Sequence, residues 1–164
     1  MTFKCATAFL FLVAFAGEAS AEAVDWYSVP PDREQLEFFG MLKNEEEGDT
    51  VLRVICAPGG KIEARVGAYK ELGKGKPRPL SVTLTSGNVS VTLKGQPVES
   101  ENYEMTGATE MKTEPFAIDD PGIRLLPLFA TKKPIKVTGA LKATWTVRGA
   151  DKLAREFEKA CVKG

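Results

Sequence analysis

The chain has 164 residues, 22 of them Lys or Arg and 22 Asp or Glu, so its formal net charge at neutral pH is zero. That balance gives no general electrostatic case for a nucleic acid or an anionic membrane as partner. Histidine is absent, which excludes Ser-His-Asp and Cys-His catalysis and every His-ligated metal site within this chain.

Residues 1–21 read as a secretory signal peptide. Lys4 supplies the positive start, Ala6 to Ala16 the apolar stretch and Ala19-Ser20-Ala21 the small-residue cleavage site. The apolar stretch is too short for a membrane span, and nothing after it is longer or more apolar. Cleavage would leave Glu22 as the first residue and remove Cys5, and residues 22–164 would make a single domain in an oxidising compartment.

Val24 to Val29 is a short β-prone run ended by Pro30-Pro31, and aromatics tilt Leu36 to Leu42 towards strand. The acidic run Glu45 to Asp49 reads as a solvated reversal, with a cation or basic-partner site as the alternative. The central hairpin comes next. Val51 to Ala57 and Lys61 to Val66 flank Pro58-Gly59-Gly60, a tight turn in which Pro fixes one dihedral and Gly tolerates positive φ. In the second limb Ile62, Ala64 and Val66 alternate with Lys61, Glu63 and Arg65, giving one buried and one wet face. In the first, Leu52, Val54 and Cys56 share a face, which turns Cys56 inward.

Gly67 to Pro79 is a flexible basic loop whose Lys70, Lys74, Lys76 and Arg78 are candidate partner contacts. It lacks the glycine spacing and the Ser or Thr of a P-loop. Leu80 to Leu93 is a hairpin turning at Ser86-Gly87-Asn88, with Val and Leu on one face and Ser81, Thr83, Ser90 and Thr92 on the other. Those hydroxyls are either the wet side of a sheet or a binding face. Asn88-Val89-Ser90 also matches a glycosylation sequon.

Tyr103 with Met105 and Phe116 with Ile118 suggest further strand. Asp119-Asp120-Pro121-Gly122 is a turn whose carboxylates cap the next segment; no spaced ligand series makes it a Ca²⁺ loop. Ile123 to Ala130 is expected to be a short buried helix, with Pro127 awkward beyond its first turn. Ile135 to Val137 and Ala143 to Val147 are late strands, with Trp145 in the core. Asp151 is expected to cap a closing helix, Lys152 to Val162. On it Leu153, Phe157 and Cys161 recur at i, i+4 and i+8 on one apolar stripe. Cys56 and Cys161, the two cysteines left after signal removal, are expected to form a disulfide. The fold class is therefore mainly β: an antiparallel β-sandwich of hairpins, a short helix, and a C-terminal helix tied to the sheet.

Several stretches occur in a telling order. Trp26 comes first, then Leu52-x-Val54-x-Cys56, then Ile62 to Tyr69. Leu125-Leu126-Pro127-Leu128-Phe129-Ala130 precedes a basic strand, and Trp145-Thr146-Val147-Arg148-Gly149 leads into Leu153, Phe157 and Ala160-Cys161. This resembles small exported proteobacterial proteins of the type VI secretion accessory (VasI-like) and invasion-associated locus B-like kinds. Met105 to Glu110 stands where the accessory group carries a Ser-x-Asp-Gly-like segment. The resemblance implies a disulfide-closed β-sandwich with Cys56 and Cys161 structural and no catalytic set. The expected function is that of a periplasmic or secreted, non-enzymatic binding or accessory protein. It would need no cofactor or metal and would meet a protein partner in the cell envelope. The alternatives are an inhibitor of a cell-wall-degrading enzyme acting through the Gly67–Pro79 loop, a hydrolase built on a Ser/Lys or carboxylate pair, and a lipid or small-ligand carrier.

Overall fold

A computed structural model describes residues 20–30, 35–43, 49–70, 78–100, 104 and 107–163. The signal-like segment up to residue 19, residues 44–48 with all of the acidic run but Asp49, and Tyr103 and Met105 lie outside them. Among the described residues ten strands form one sheet. They are β1 (Val24–Val29), β2 (Glu37–Leu42), β3 (Thr50–Ala57), β4 (Lys61–Lys70), β5 (Leu80–Ser86), β6 (Val89–Glu99), β7 (Thr109–Thr113), β8 (Phe116–Ala117), β9 (Ile135–Gly139) and β10 (Ala143–Trp145). A short helix α1 (Pro127–Ala130) precedes β9, and α2 (Ala150–Lys163) comes after β10.

The strand order is β1-β2-β3-β4-β7-β6-β5-β9-β10, with β8 beside the start of β4. Every named pair is antiparallel. The outer strands then approach each other through an isolated parallel bridge, Glu22 to Trp145. Glu22 N–H donates to the Thr144 carbonyl at 2.7 Å, Thr146 N–H donates to the Glu22 carbonyl at 3.0 Å, and Val24 N–H donates to Thr146 Oγ1 at 3.0 Å. Trp26 Nε1–H also donates to the Thr146 carbonyl, at 2.8 Å. The sheet is thus nearly closed as a barrel, and closure is the device that removes exposed strand edges.

Alternation predicts a sandwich and a barrel equally well, because both bury one face of every strand; the sheet takes the nearly closed form. Two irregularities accompany the curvature. Between Gly40 and Met41 the register on β3 jumps from Leu52 to Thr50, leaving Val51 as an extra residue. Both Val51 and Leu52 are buried as a result. On β4 the register with β7 slips by two between Val66 and Lys70, starting at Gly67, whose φ is 83°. Bulges of this kind bend a strand and increase its twist, which a closing sheet requires. They also carry β4 through Lys70, past Gly67, where the composition predicts the start of a loop.

Inward positions from all around the sheet fill the interior: Val24, Phe38, Val54, Ile62, Val82, Leu93, Met111, Val137 and Trp145 are all buried in one cluster. The rings of Trp26 and Phe38 stack at 5.4 Å, and Phe129 of α1 meets both edge-on, at 4.8 and 4.9 Å. Phe157 of α2 lies against Phe38 at 6.2 Å. Gly40 faces Trp26 across the β1–β2 pair, and a Cβ there would fall 2.8 Å from Trp26 and Val24 side-chain atoms. The glycine makes room for the indole.

Both helices start elsewhere than expected. α1 has only four residues, and Pro127 is its first, where a missing N–H costs nothing. α2 begins at Ala150, so Asp151 lies within its first turn and accepts from Arg155 at 3.1 Å instead of capping. Its buried stripe is Ala150, Ala154, Phe157 and Cys161, with Leu153 at the border.

Candidate functional site

The two expected structural cysteines meet. Cys56, near the end of β3, and Cys161, on the buried stripe of α2, form a disulfide with Cα atoms 5.6 Å apart. Of the candidate contact loop, Lys70 ends β4 opposite Thr109 and Arg78 is exposed before β5. Lys74 and Lys76 lie outside the described residues. Asn88 sits in the exposed two-residue turn between β5 and β6, and Trp145 is fully buried, as core. Asp120 Oδ1 accepts from Gly122 N–H at 2.7 Å, which makes the acidic turn a local cap. Among the described residues no three His, Cys, Asp or Glu are grouped to hold a metal ion.

The inward side chains form one buried cluster, and the outward ones form the accessible wall. Strand registers lay that surface out in rows. One row runs Tyr27, Phe39, Arg53, Arg65, Lys112, Gln96 across β1, β2, β3, β4, β7 and β6. Tyr27 and Phe39 stack at 5.4 Å, and Tyr27 remains 46% exposed. Arg53 directly opposite Arg65 would be unfavourable alone. Carboxylates in the flanking rows offset it. Glu37 approaches Arg53 at 3.7 Å, Glu63 meets Arg65 at 2.8 Å and Lys112 at 3.1 Å, and Glu110 meets Arg65 at 3.1 Å. Burial alone would lower the Arg65 pKa, but the hydrogen bond Arg65 donates to Glu63 and the charges of Glu110 and Glu63 outweigh it, so the pKa is raised. Three cations and three carboxylates neutralise one another here, which suits a structural clasp across four strands.

The opposite half of the barrel wall differs. Its rows run Thr144, Lys136, Thr85, Ser90 and Thr138, Thr83, Thr92 across β10, β9, β5 and β6, with Ser81 opposite Lys94 beside them. Thr83 and Thr92 hydroxyls hydrogen-bond at 2.9 Å, and those of Thr85 and Ser90 at 3.1 Å. No outward position of these rows carries a carboxylate, an aromatic ring or a large aliphatic side chain. The hydroxyl face is visible in the hairpin's alternation. Its extension onto β9 and β10 is not, since those strands come some fifty residues later in the chain.

A third feature is a cleft of about 400 Å³ beside the start of α2, lined by Lys132, Thr146, Arg148 and Asp151 among others. Lys132 has φ 58°. Asp151, bonded to Arg155, places a carboxylate in the same cleft as the two cations. Alternation carries no signal for this cleft, because its walls come from the α1–β9 and β10–α2 connections.

Neither family models, nor curated proteins, nor solved structures give a match to this chain.

Proposed function

We propose that this protein is exported and serves the bacterial cell envelope as a non-enzymatic binding or accessory protein, related to the VasI-like or invasion-associated locus B-like kinds. The observation that carries the reading is the disulfide between Cys56 and Cys161. Such bonds persist in oxidising compartments and are rare in the cytosol. The signal-like residues 1–21 agree with it, as does the lack of a helix long and apolar enough to cross a membrane among the described residues.

The filled interior supports a role at the outer surface over that of a carrier, because barrels that hold a ligand keep a lumen for it. The rows of outward side chains support binding over catalysis. The carboxylates of the clasp are tied to cations, and the hydroxyl rows carry no carboxylate of their own. The test combines processing and thiol state. Expressed in a bacterium with its full sequence, the protein should appear in the periplasmic fraction with Glu22 first and with both cysteines resistant to alkylation before reduction. Retention of residues 1–21 on protein found in the cytosol, with two reactive thiols, would overturn the reading.

A further inference from the structure

The wall formed by β5, β6, β9 and β10 is a sheet face with a definite chemistry. Thr83, Thr85, Ser90 and Thr92 present paired hydroxyls, and Lys94 and Lys136 stand at opposite corners of the array. Neither lysine forms an ion pair among the described residues, in contrast to Lys112 on the other wall. We infer that this face binds an extended acidic polysaccharide, its carboxylates held by Lys94 and Lys136 and its sugar hydroxyls by the Thr/Ser rows. The inference goes beyond the envelope reading and does not depend on it.

Three arguments choose this occupant. First, the charge is of one sign, so the partner is anionic. Second, the charges are far apart. Two strand spacings of ~4.8 Å and four residues of ~3.4 Å rise separate the two lysine Cα atoms by roughly 17 Å. A single phosphate or carboxylate needs donors converging within hydrogen-bond distance. A polymer with charges at intervals does not. Third, a protein interface is centred on buried aromatic or aliphatic anchors, and a single-stranded nucleic acid needs aromatic platforms for its bases. This face offers neither. Hydroxyl pairs are both donors and acceptors, which suits sugar hydroxyls presented in series.

The experiment measures binding of the purified protein to polygalacturonate, with dextran as an uncharged polysaccharide and poly-L-glutamate as a polyanion without hydroxyls. Polygalacturonate should bind best, and binding should weaken as salt rises. Lys94→Glu with Lys136→Glu should reduce affinity about tenfold or more. Thr83→Val with Thr92→Val keeps the β-branched shape and should cost about threefold to tenfold. Arg148→Glu, in the cleft beside α2, should leave affinity unchanged. Circular dichroism and thermal melting of each variant check that the fold persists. Failure to bind polygalacturonate would overturn the proposal, as would equal binding of dextran. Equal binding of poly-L-glutamate would refute the sugar assignment, and loss on Arg148→Glu but not on the lysine reversals would move the site elsewhere. Because the wild-type comparison of the three polymers decides by itself, a poorly folded variant cannot rescue the idea.

Discussion

Replacing both cysteines by alanine tests the tie between β3 and α2. The bond spans a sequence separation of 105 residues. A loop of about 100 residues gives ~4.7 kcal/mol in the chain-entropy model, and native bridges in small exported domains are worth ~2–5 kcal/mol when measured. Cys161 is 1% exposed, so alanine is preferable to serine, which would leave a buried hydroxyl in need of a partner. Urea unfolding monitored by tryptophan fluorescence is a suitable assay because Trp26 lies at the barrel seam and Trp145 within the core, both buried. The double variant should be less stable by ~2–5 kcal/mol, with a somewhat larger m value because its unfolded chain is no longer cross-linked. Phe157→Ala should cost ~3–5 kcal/mol by removing a fully buried ring beside Phe38. Combined with loss of the bridge, it should cost less than the sum, since both hold the same helix. A change below ~1 kcal/mol for the double cysteine variant would show that α2 is fixed by packing alone, and the reasoning would fail.

Gly40→Val should destabilise by ~1–3 kcal/mol or more, because its side chain would collide with Trp26 and Val24; urea titration measures it. Glu110→Gln weakens a carboxylate contact of Arg65 at a site 4% exposed and should cost ~1–3 kcal/mol in the same assay. The Arg65 pKa is raised above its ordinary value, so the stability Arg65 contributes is fully present below the unfolded-state pKa and is lost only as pH rises through the folded one. Removing it as Arg65→Met should therefore cost the same at pH values from about 7 to about 11 on account of that group. Thr146→Val removes the acceptor of the Val24 N–H and should cost ~1 kcal/mol, read as roughly fivefold faster exchange of the Val24 amide.

Hairpins are the most legible part of the chain. Val24–Val29 is β1 to the residue, and the turns at Pro58-Gly59-Gly60 and Gly87-Asn88 fall between the expected limbs. The disulfide can be read as well, since alternation on β3 and the helical spacing of Phe157 and Cys161 are both local patterns. Long-range pairing is what escapes. β7, Thr-Glu-Met-Lys-Thr, has one large apolar residue, and its Glu110 is buried because it serves the ion-pair clasp. Nothing local announces that it slots between β4 and β6. Seam closure is equally silent, because it rests on main-chain bonds between Glu22 and residues 144 and 146. The hydroxyl face is legible strand by strand, yet its width depends on where β9 and β10 dock.

The two halves of the wall differ in how each obtains its order. β2, β3 and β4 follow one another in the chain, but β7 comes from a distant stretch, and β4 must pair with it across a two-residue slip in register. Opposite charges in adjacent rows reward one alignment and penalise its neighbours, because a one-residue slip would turn Arg65 and Lys112 inward. Register between β4 and β7 is therefore specified by side chains that must stay paired to one another. β5 and β6 are joined by a two-residue turn that sets their register without such help. Their outward positions are freed from that duty, and Thr and Ser satisfy strand propensity while leaving donors and acceptors facing water. On the β5–β6 hairpin, where the turn sets the register, the outward hydroxyls are left to the polysaccharide face proposed above.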